Sequence, residues 1–569
     1  MSIYRKIHLF KYLLFPIIFV HTILFSHETQ NYPSKIDDYK PTPPFSISYY
    51  PQDKCAKLPV LYKGRIRPFS VASRQWLYNI TKRDEVRGSK FTSFKASFSE
   101  DLIWKILLFG YEPWEYTRIF FIQESARKLL GLNPVKKRFF LYDLEQALSN
   151  TQESSKEINE LKQKVESFKN PDIYFLPLKF PEGSFGPLSL LEGNDDNFTN
   201  YNDEHFLEIK TLYLALKESL QKENTIYSQT LSFALIDKLI ESYDDIESRP
   251  LKETLTKKLI APSRLVLSLE DTLYTSSFLD IIFYLFGLAT FSFILYFFFQ
   301  KKFFCNTAIV LMIVGFVLQT VLLLLRSYIL KRPPVSNMFE TVIYVPWITI
   351  LASIIVSFFS KNKILLLASS LISTLLYGLI NFTQLSPSLE NVQAVLDSNY
   401  WLTIHVLLIV ASYGLFLLSG LLAHFALASF FIKKRLPPID NLIGQINYIG
   451  IAMLIPGTLL GGVWAQESWG RFWDWDPKES WAFISCALYI AIVHAYKYKI
   501  IRQFGLIIGS IVGVNVITFT WYGVNYILGQ GLHSYGFGSG GQPLYWGFIV
   551  FETLLIIVAY AFKWKKRLN

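Results

Sequence analysis

Cysteine is scarce in this sequence: Cys55, Cys305 and Cys486 are the only three in 569 residues. They are far apart, with no CxxC pair and no zinc-ligand spacing, so a disulfide framework is excluded and thiol chemistry by the chain itself is disfavoured. Charge is also thin, at 18% of residues, against 51% apolar and 17% aromatic residues. The mean hydropathy is positive. A soluble enzyme is excluded by that balance, and membrane spans joined to a sizeable aqueous part are implied. Acidic residues are outnumbered, leaving a formal charge of +11. The Lys and Arg residues gather in short clusters at the ends of apolar runs, as cytoplasmic flanks do, so the expected partner of that charge is the lipid bilayer and not nucleic acid.

What is present divides into an aqueous part and a membrane part. The start, "MSIYRKIHLFKYLLFPIIFVHTILFSHE", is a basic flank followed by an apolar run short for a span. It reads as a signal peptide or a first anchor, and with no small-x-small cleavage site after it, an anchor over residues 1–26 is expected. Residues 27–275 are polar and carry Pro-rich "YKPTPPF", the segment "YKGRIRPFSVASRQWLYNIT" and helical patterns such as "DLEQALSNTQESSKEINELKQKVESF". They read as a mostly helical extracytoplasmic domain, with 150–169 charged on most faces as a solvated or coiled-coil helix would be. Nine apolar runs follow, near 276–299, 304–325, 338–359, 363–382, 400–431, 443–463, 480–496, 504–528 and 544–562. The fold expected is an all-α polytopic membrane protein of about ten transmembrane helices. Residues 276–299 form a linking span, and 300–569 form the main membrane domain.

With the first span running inside to outside, the clusters at Gln300, Ser360, Lys433, Lys497 and Lys563 all fall on the cytoplasmic side. "RSYILKRPPVSNMFE" is the exception: Arg326, Lys331 and Arg332 fall outside, where they need another reason. The aqueous domain, the stretch "WGRFWDWDPKESWAF" and the loop "GQGLHSYGFGSGGQP" fall outside too, so the chemistry is expected there.

Three of the eight histidines stand in unusual places. His405 is just inside the outer end of a span, His494 is deep in another, and His533 is in the Gly-rich loop. Polar groups in hydrocarbon are costly, so a functional role is the default. Neutral imidazoles hold metals, and two of them from separate segments can hold a haem iron from both faces. A metal-free proton relay and structural hydrogen bonds remain open. The surrounding residues favour a porphyrin, a flat apolar disc with anionic propionates at one edge. Tyr400 and Trp401 lie one turn from His405, and Trp464, Trp469, Trp473, Trp475 and Trp481 supply indole faces. Arg471, Lys478 or the Arg332 cluster suit the propionates. An interfacial aromatic belt explains one or two tryptophans per span end, but not Trp-Asp-Trp-Asp-Pro-Lys-Glu in one loop.

"WGRFWDWDPKESWAF" resembles the WWD signature of haem-handling proteins. Its context resembles the CcsA-type subunit of the system II cytochrome c synthase, with "WLTIHV", "WAFISCALYIAIVHAY" and "GVNYILGQGLHSYGF" in order. The likeness covers about 300–569, and "RPPVSNMFET" resembles the family's outer loop. It implies that His405 and His533 are the axial ligands of haem b at the outer face. It also implies that the signature, Asp476 included, binds the ring and its edges, with Arg332 and Arg471 near the propionates. His494 would be one of a pair receiving haem within the membrane. It lies about 13 residues, or roughly 20 Å, below Trp481.

In this family the other member of that pair belongs to a CcsB (ResB-like) protein. Here only one span precedes the aqueous domain; His21 is too shallow, His8 lies in the basic flank and His424 near the cytoplasmic end. A separate CcsB-like partner is therefore expected. "YKGRIRPFSVASRQWLYNIT" resembles a GR-x-(K/R)-P motif of fused CcsBA-like proteins, which would make 27–299 the late part of CcsB; a structural turn accounts for it as well.

The resemblance implies a cytochrome c haem lyase of a bacterial inner membrane, facing the periplasm. It would carry haem outward and attach it to the CxxCH thiols of an apocytochrome c. A haem-delivery component without ligase activity is the alternative, and a transporter of another amphipathic molecule a third. Asp474, Asp476 and Glu479 read better as loop-ordering groups before a helix starting near Pro477 than as acid-base catalysts.

Overall fold

The computed structural model describes residues 56–528 and 542–568, apart from segments within 83–119, 152–154, 179–203, 223–224, 245–261 and 384–397. The expected anchor over 1–26 and His533 lie outside the described residues, as do His8, His21 and Cys55. The chain forms two compact units, one of Met1–Tyr62, Ile66–Leu251 and Phe297–Gln300, the other of Lys63–Arg65, Lys252–Tyr296 and Lys301–Asn569.

The first unit combines helices with short β-ladders. The helix Phe69–Thr81 buries Phe69, Ala72, Trp76, Leu77 and Ile80, a helical stripe, against a core that includes Leu58, Phe120 and Phe168. Trp76 stacks on Phe168 at 5.8 Å, and its Nε1 donates to the Ser167 carbonyl at 2.9 Å. The strands Pro59–Tyr62 and Ile173–Tyr174 pair antiparallel, Leu61 opposite Tyr174. The helical pattern from Asp143 to Phe168 is two helices, Leu141–Ser149 and Lys156–Lys169, and the second of them occupies the stretch 150–169 expected to be solvated. In the second, Ile158, Leu161, Val165 and Phe168 make a buried stripe, and Ser155 caps its start. Four apolar residues on one face suffice to dock a helix whose other faces are charged.

The second unit opens with the amphipathic helix α1, Arg264–Thr275. Its Glu270 is fully buried and pairs with Arg65 of the "GRIRP" turn, which also donates to the Leu389 carbonyl at 2.9 Å. The membrane helices follow: α2 Phe278–Phe299, α3 Lys302–Leu330, α4 Met338–Ser360, α5 Ile364–Thr383, α6 Asn399–Lys433, α7 Asp440–Trp469, α8 Pro477–Lys497, α9 Gln503–Leu528 and α10 Gln542–Leu568. Each corresponds to one of the nine apolar runs. Among the described residues eight are long and apolar enough to cross a membrane, and α5 is a shorter apolar helix. The protein is an all-α, multi-pass membrane protein.

Helices α6 and α9 form the centre of this bundle, being the most buried spans, while α10 lies at its margin. Small residues permit the close approach: at Gly420 an added Cβ would collide with Val514 of α9. A buried polar chain crosses the same contact, from Ser419 on α6 through Asn447 on α7 to Ser510 on α9, at 2.5 and 3.0 Å. In hydrocarbon each such group must find its partner inside the protein, which fixes helix rotation as well as position.

Candidate functional site

Helix α6 is not regular at its start. Residues Leu402–Val406 form a π-helical turn, and the last ten residues of α9, Phe519–Leu528, are π-helical as well. Wide turns of this kind are rare and recur at functional sites. Both border one open cavity of about 110 Å³. Its wall draws on Ser336, Asn337 and Thr341 at the start of α4, His405 and Tyr413 on α6, Gly461 on α7, Trp473 and Lys478 around the start of α8, and Trp521 and Asn525 on α9. Segments up to 190 residues apart in sequence meet here (Val335 to Asn525).

His405 is half-buried in that wall. Its Nδ1 lies 2.7 Å from the carbonyl oxygen of Gly457. A carbonyl only accepts, so Nδ1 carries the proton and the ring's lone pair is on Nε2, the arrangement usual for a metal-ligating imidazole. The ring needs Gly461 opposite it: a Cβ there would stand 2.6 Å from Cε1 and 3.2 Å from Nε2. Trp464, 2% exposed, meets the imidazole edge-on at 5.7 Å. Behind it Trp401, Leu402, Trp464 and Trp469 form a small apolar cluster, and Trp401 Nε1 donates to Glu467 at 2.7 Å. The start of α6 is thereby clamped to the end of α7.

The signature loop is held by its own carboxylates. Asp476 caps α8, its Oδ1 accepting from the Glu479 N–H at 2.9 Å, and Pro477 occupies the first turn. Glu479 Oε2 returns to accept from the Asp474 N–H at 2.8 Å. Trp475, between these contacts, has φ of +57°. These bonds bend the loop so that Trp473 faces the cavity while Trp475 points away and is 68% exposed, edge-on to Trp473 and Phe483. Trp481 packs against Phe519 at 4.2 Å.

At the start of α4, two of the three cations that break the positive-inside pattern, Arg326 and Arg332, have partners. Arg326, 4% exposed, pairs with Glu340 at 3.0 Å and lies over the Phe339 ring. Glu340 also accepts from the backbone and hydroxyl of Ser336 at 2.9 and 2.7 Å, and Arg332 donates to the same hydroxyl at 3.0 Å. The loop 332–337 is thus built on buried charge, with Ser336 and Asn337 presented to the cavity.

The structure brings His405 and Trp473 together at the cavity and sets Trp464 and Trp469 behind them. Trp475, Trp481, Asp476, Arg332 and Arg471 do not line it; Arg471 is exposed and paired with Asp474 at 2.6 Å. His494 is elsewhere, on an exposed face of α8, its Nδ1 donating to the Ile490 carbonyl at 2.9 Å. Trp521, Tyr413, Thr341 and Asn525 also line the cavity, and sequence reasoning missed them. In an apolar span a Trp or Asn carries no mark of the direction it faces. Trp521 is fixed there by its Nε1 bond to Thr341 Oγ1 at 2.9 Å.

Fold and site define a multi-pass membrane protein with a histidine-bearing, tryptophan-walled cavity near one end of its bundle. The profile of the family described as Cytochrome C assembly protein matches residues 335–533, a range that begins at the first cavity-lining residue. The chain is 32% identical over 271 residues to the cytochrome c biogenesis protein CcsA of Chlorella vulgaris, covering 38% of this chain and 82% of that protein. Against CcsA of Chlamydomonas reinhardtii it is 32% identical over 241 residues, 68% of that protein. Protein NrfI of Wolinella succinogenes is 39% identical over 244 residues, 40% of this chain but only 26% of NrfI. The chain belongs to the CcsA-type cytochrome c biogenesis family.

Proposed function

We propose that this protein takes haem b as its substrate, presents it in the cavity at His405, and attaches it to the CxxCH motif of an apocytochrome c. The observation that carries the reading is the imidazole of His405, its tautomer set by the Gly457 carbonyl, in the wall of a cavity lined by Trp473 and Trp521. The cavity suits such a ligand: its lining is largely apolar and aromatic, yet two buried polar atoms in it, Trp473 Nε1 and Asn525 Oδ1, have no hydrogen-bond partner among the described residues. His533 is the second axial ligand in this reading, and the CxxCH histidine replaces one of the two. Each thiol then adds across a haem vinyl group: a C–S bond forms, the thiol proton goes to the other vinyl carbon, and no oxidant is consumed. The protein's part is positioning, holding iron and ring so that vinyl groups and thiols meet.

His494 serves as one ligand of an intramembrane receiving site. Its exposed position on α8 supports an arrangement in which a CcsB-like partner supplies the second histidine. The orientation follows from the cationic clusters: the cavity and the 27–275 domain, the late-CcsB-like part, face the periplasm of a bacterial inner membrane. Residues 276–299 link that domain to the haem-handling membrane domain, 300–569.

Purification tests the first part. A Soret band present in the wild type and lost in His405→Ala and His533→Ala supports haem ligation; a colourless protein unchanged by added haem overturns it. Co-expression with a CcsB-like partner and a CxxCH reporter tests the second. Covalent haem staining of the reporter supports ligation, and haem-loaded protein with an unstained reporter makes it a delivery component.

A further inference from the structure

Three cations near the signature could meet an anionic group, and their geometry separates them. Arg471 is exposed and engaged by Asp474. Arg332 is buried behind Ser336 and does not line the cavity. Lys478 does line it, half-buried in the first turn of α8, with Nζ donating to the Thr520 carbonyl at 2.9 Å.

That bond uses one of three ammonium donors and carries the side chain across to the π-helical end of α9. In the same wall the buried Nε1 of Trp473 is an N–H donor with no acceptor among the described residues. Two acidic groups are near, but both are committed to the loop. Glu479 also lines the cavity, and its Oε2 accepts from the Asp474 N–H; Asp476 caps the helix through the Glu479 N–H. An ammonium and an indole N–H on one wall, at the positive end of α8, form a donor pair matched to a carboxylate.

We propose that Lys478, with the Trp473 N–H, binds a carboxylate of the cavity's ligand, and so sets which edge of that ligand turns toward the signature. This rests on the haem reading, in which the carboxylate is a propionate. The ring plane would then be fixed at two points, iron at His405 and propionate at Lys478, and the edge bearing the vinyl groups would be held away from the signature.

The test uses full-length protein and two probes, haem and its dimethyl ester, in which both propionates are masked. The ratio of their affinities, read from Soret titrations, is compared across variants. Wild type should prefer haem by about tenfold, the size of one charge-assisted hydrogen bond. Lys478→Met should bring the ratio near one, Lys478→Arg should keep most of it, and Arg471→Gln should leave it unchanged. Because each variant is its own reference, partial loss of folded protein does not alter the ratio; should Lys478→Met yield no folded protein, the Trp473→Phe ratio decides. Equal binding of both probes by wild type, or a preference retained in Lys478→Met, overturns the proposal while leaving haem binding intact. Failure of wild type to bind either probe removes the haem reading and this proposal with it.

Discussion

His405 donates its Nδ1 proton to the carbonyl of Gly457, one turn before Gly461, whose missing Cβ makes room for the ring. The imidazole is held from one side by a hydrogen bond and admitted on the other by an absence. Such support fixes both the orientation and the tautomer of a span-end imidazole.

Gly461→Ala should therefore act on the site more than on the fold. The new methyl would press on three ring atoms at 2.6 to 3.2 Å, and the ring must move to relieve it. Haem affinity in a Soret titration should fall by about tenfold or more, since a loss of about 1–3 kcal/mol is expected when an oriented bond is broken. An affinity equal to wild type would show that the ring does not depend on this space.

Glu340 is fully buried and neutralises Arg326, itself 4% exposed, while also holding Ser336. Glu340→Ala removes the counter-charge and the loop's acceptor together. Thermal unfolding in detergent should show a loss of about 3–5 kcal/mol, the cost of breaking a buried pair from one side. Glu340→Gln, keeping the acceptor, should lose less. A melting temperature unchanged in Glu340→Ala would contradict the pairing.

Asp476 closes the start of α8 and orders the loop that aims Trp473. Replacing it with alanine should cost about 1 kcal/mol of stability, as removal of an N-cap does, and weaken haem capture as well. Asparagine should restore most of both. If alanine and asparagine behave alike in the melt and the titration, the cap is not what organises the signature.

At the bundle margin, His424 on α6 meets Glu552 on α10 at 2.9 Å, and its Nδ1 donates to the Gly420 carbonyl at 2.7 Å. Glu552 is 3% exposed. His424→Leu should destabilise strongly by stranding a carboxylate among apolar spans, whereas His424→Leu with Glu552→Leu should recover most of the loss. Additive losses in the two single variants and the double variant would mean the pair is not coupled.

All nine apolar runs after the aqueous domain appear as helices, because a bilayer leaves few alternatives for twenty apolar residues and length alone reveals them. The start of α8 at Pro477 was equally legible, since Asp-Pro-Lys-Glu spells a cap locally. The stretch 150–169 was less so. Its charge count obscured the four-residue stripe from Ile158 to Phe168, a matter of phase and not of composition.

Composition and spacing alone define the class: a multi-pass bundle, the tryptophan signature, and histidines at positions a membrane makes expensive. Which of those side chains share a cavity is settled by how the helices pack. That packing kept Trp473, turned Trp475 and Trp481 away, set Trp464 behind His405, recruited Trp521 from another span, and chose Lys478 over Arg471 and Arg332. The physical reason is helix rotation. Hydropathy shows that a span exists, but inside an apolar segment every face is equally greasy. The direction each side chain takes is then set by contacts between helices, such as Ser419 with Asn447 and Trp521 with Thr341, that a linear pattern does not contain.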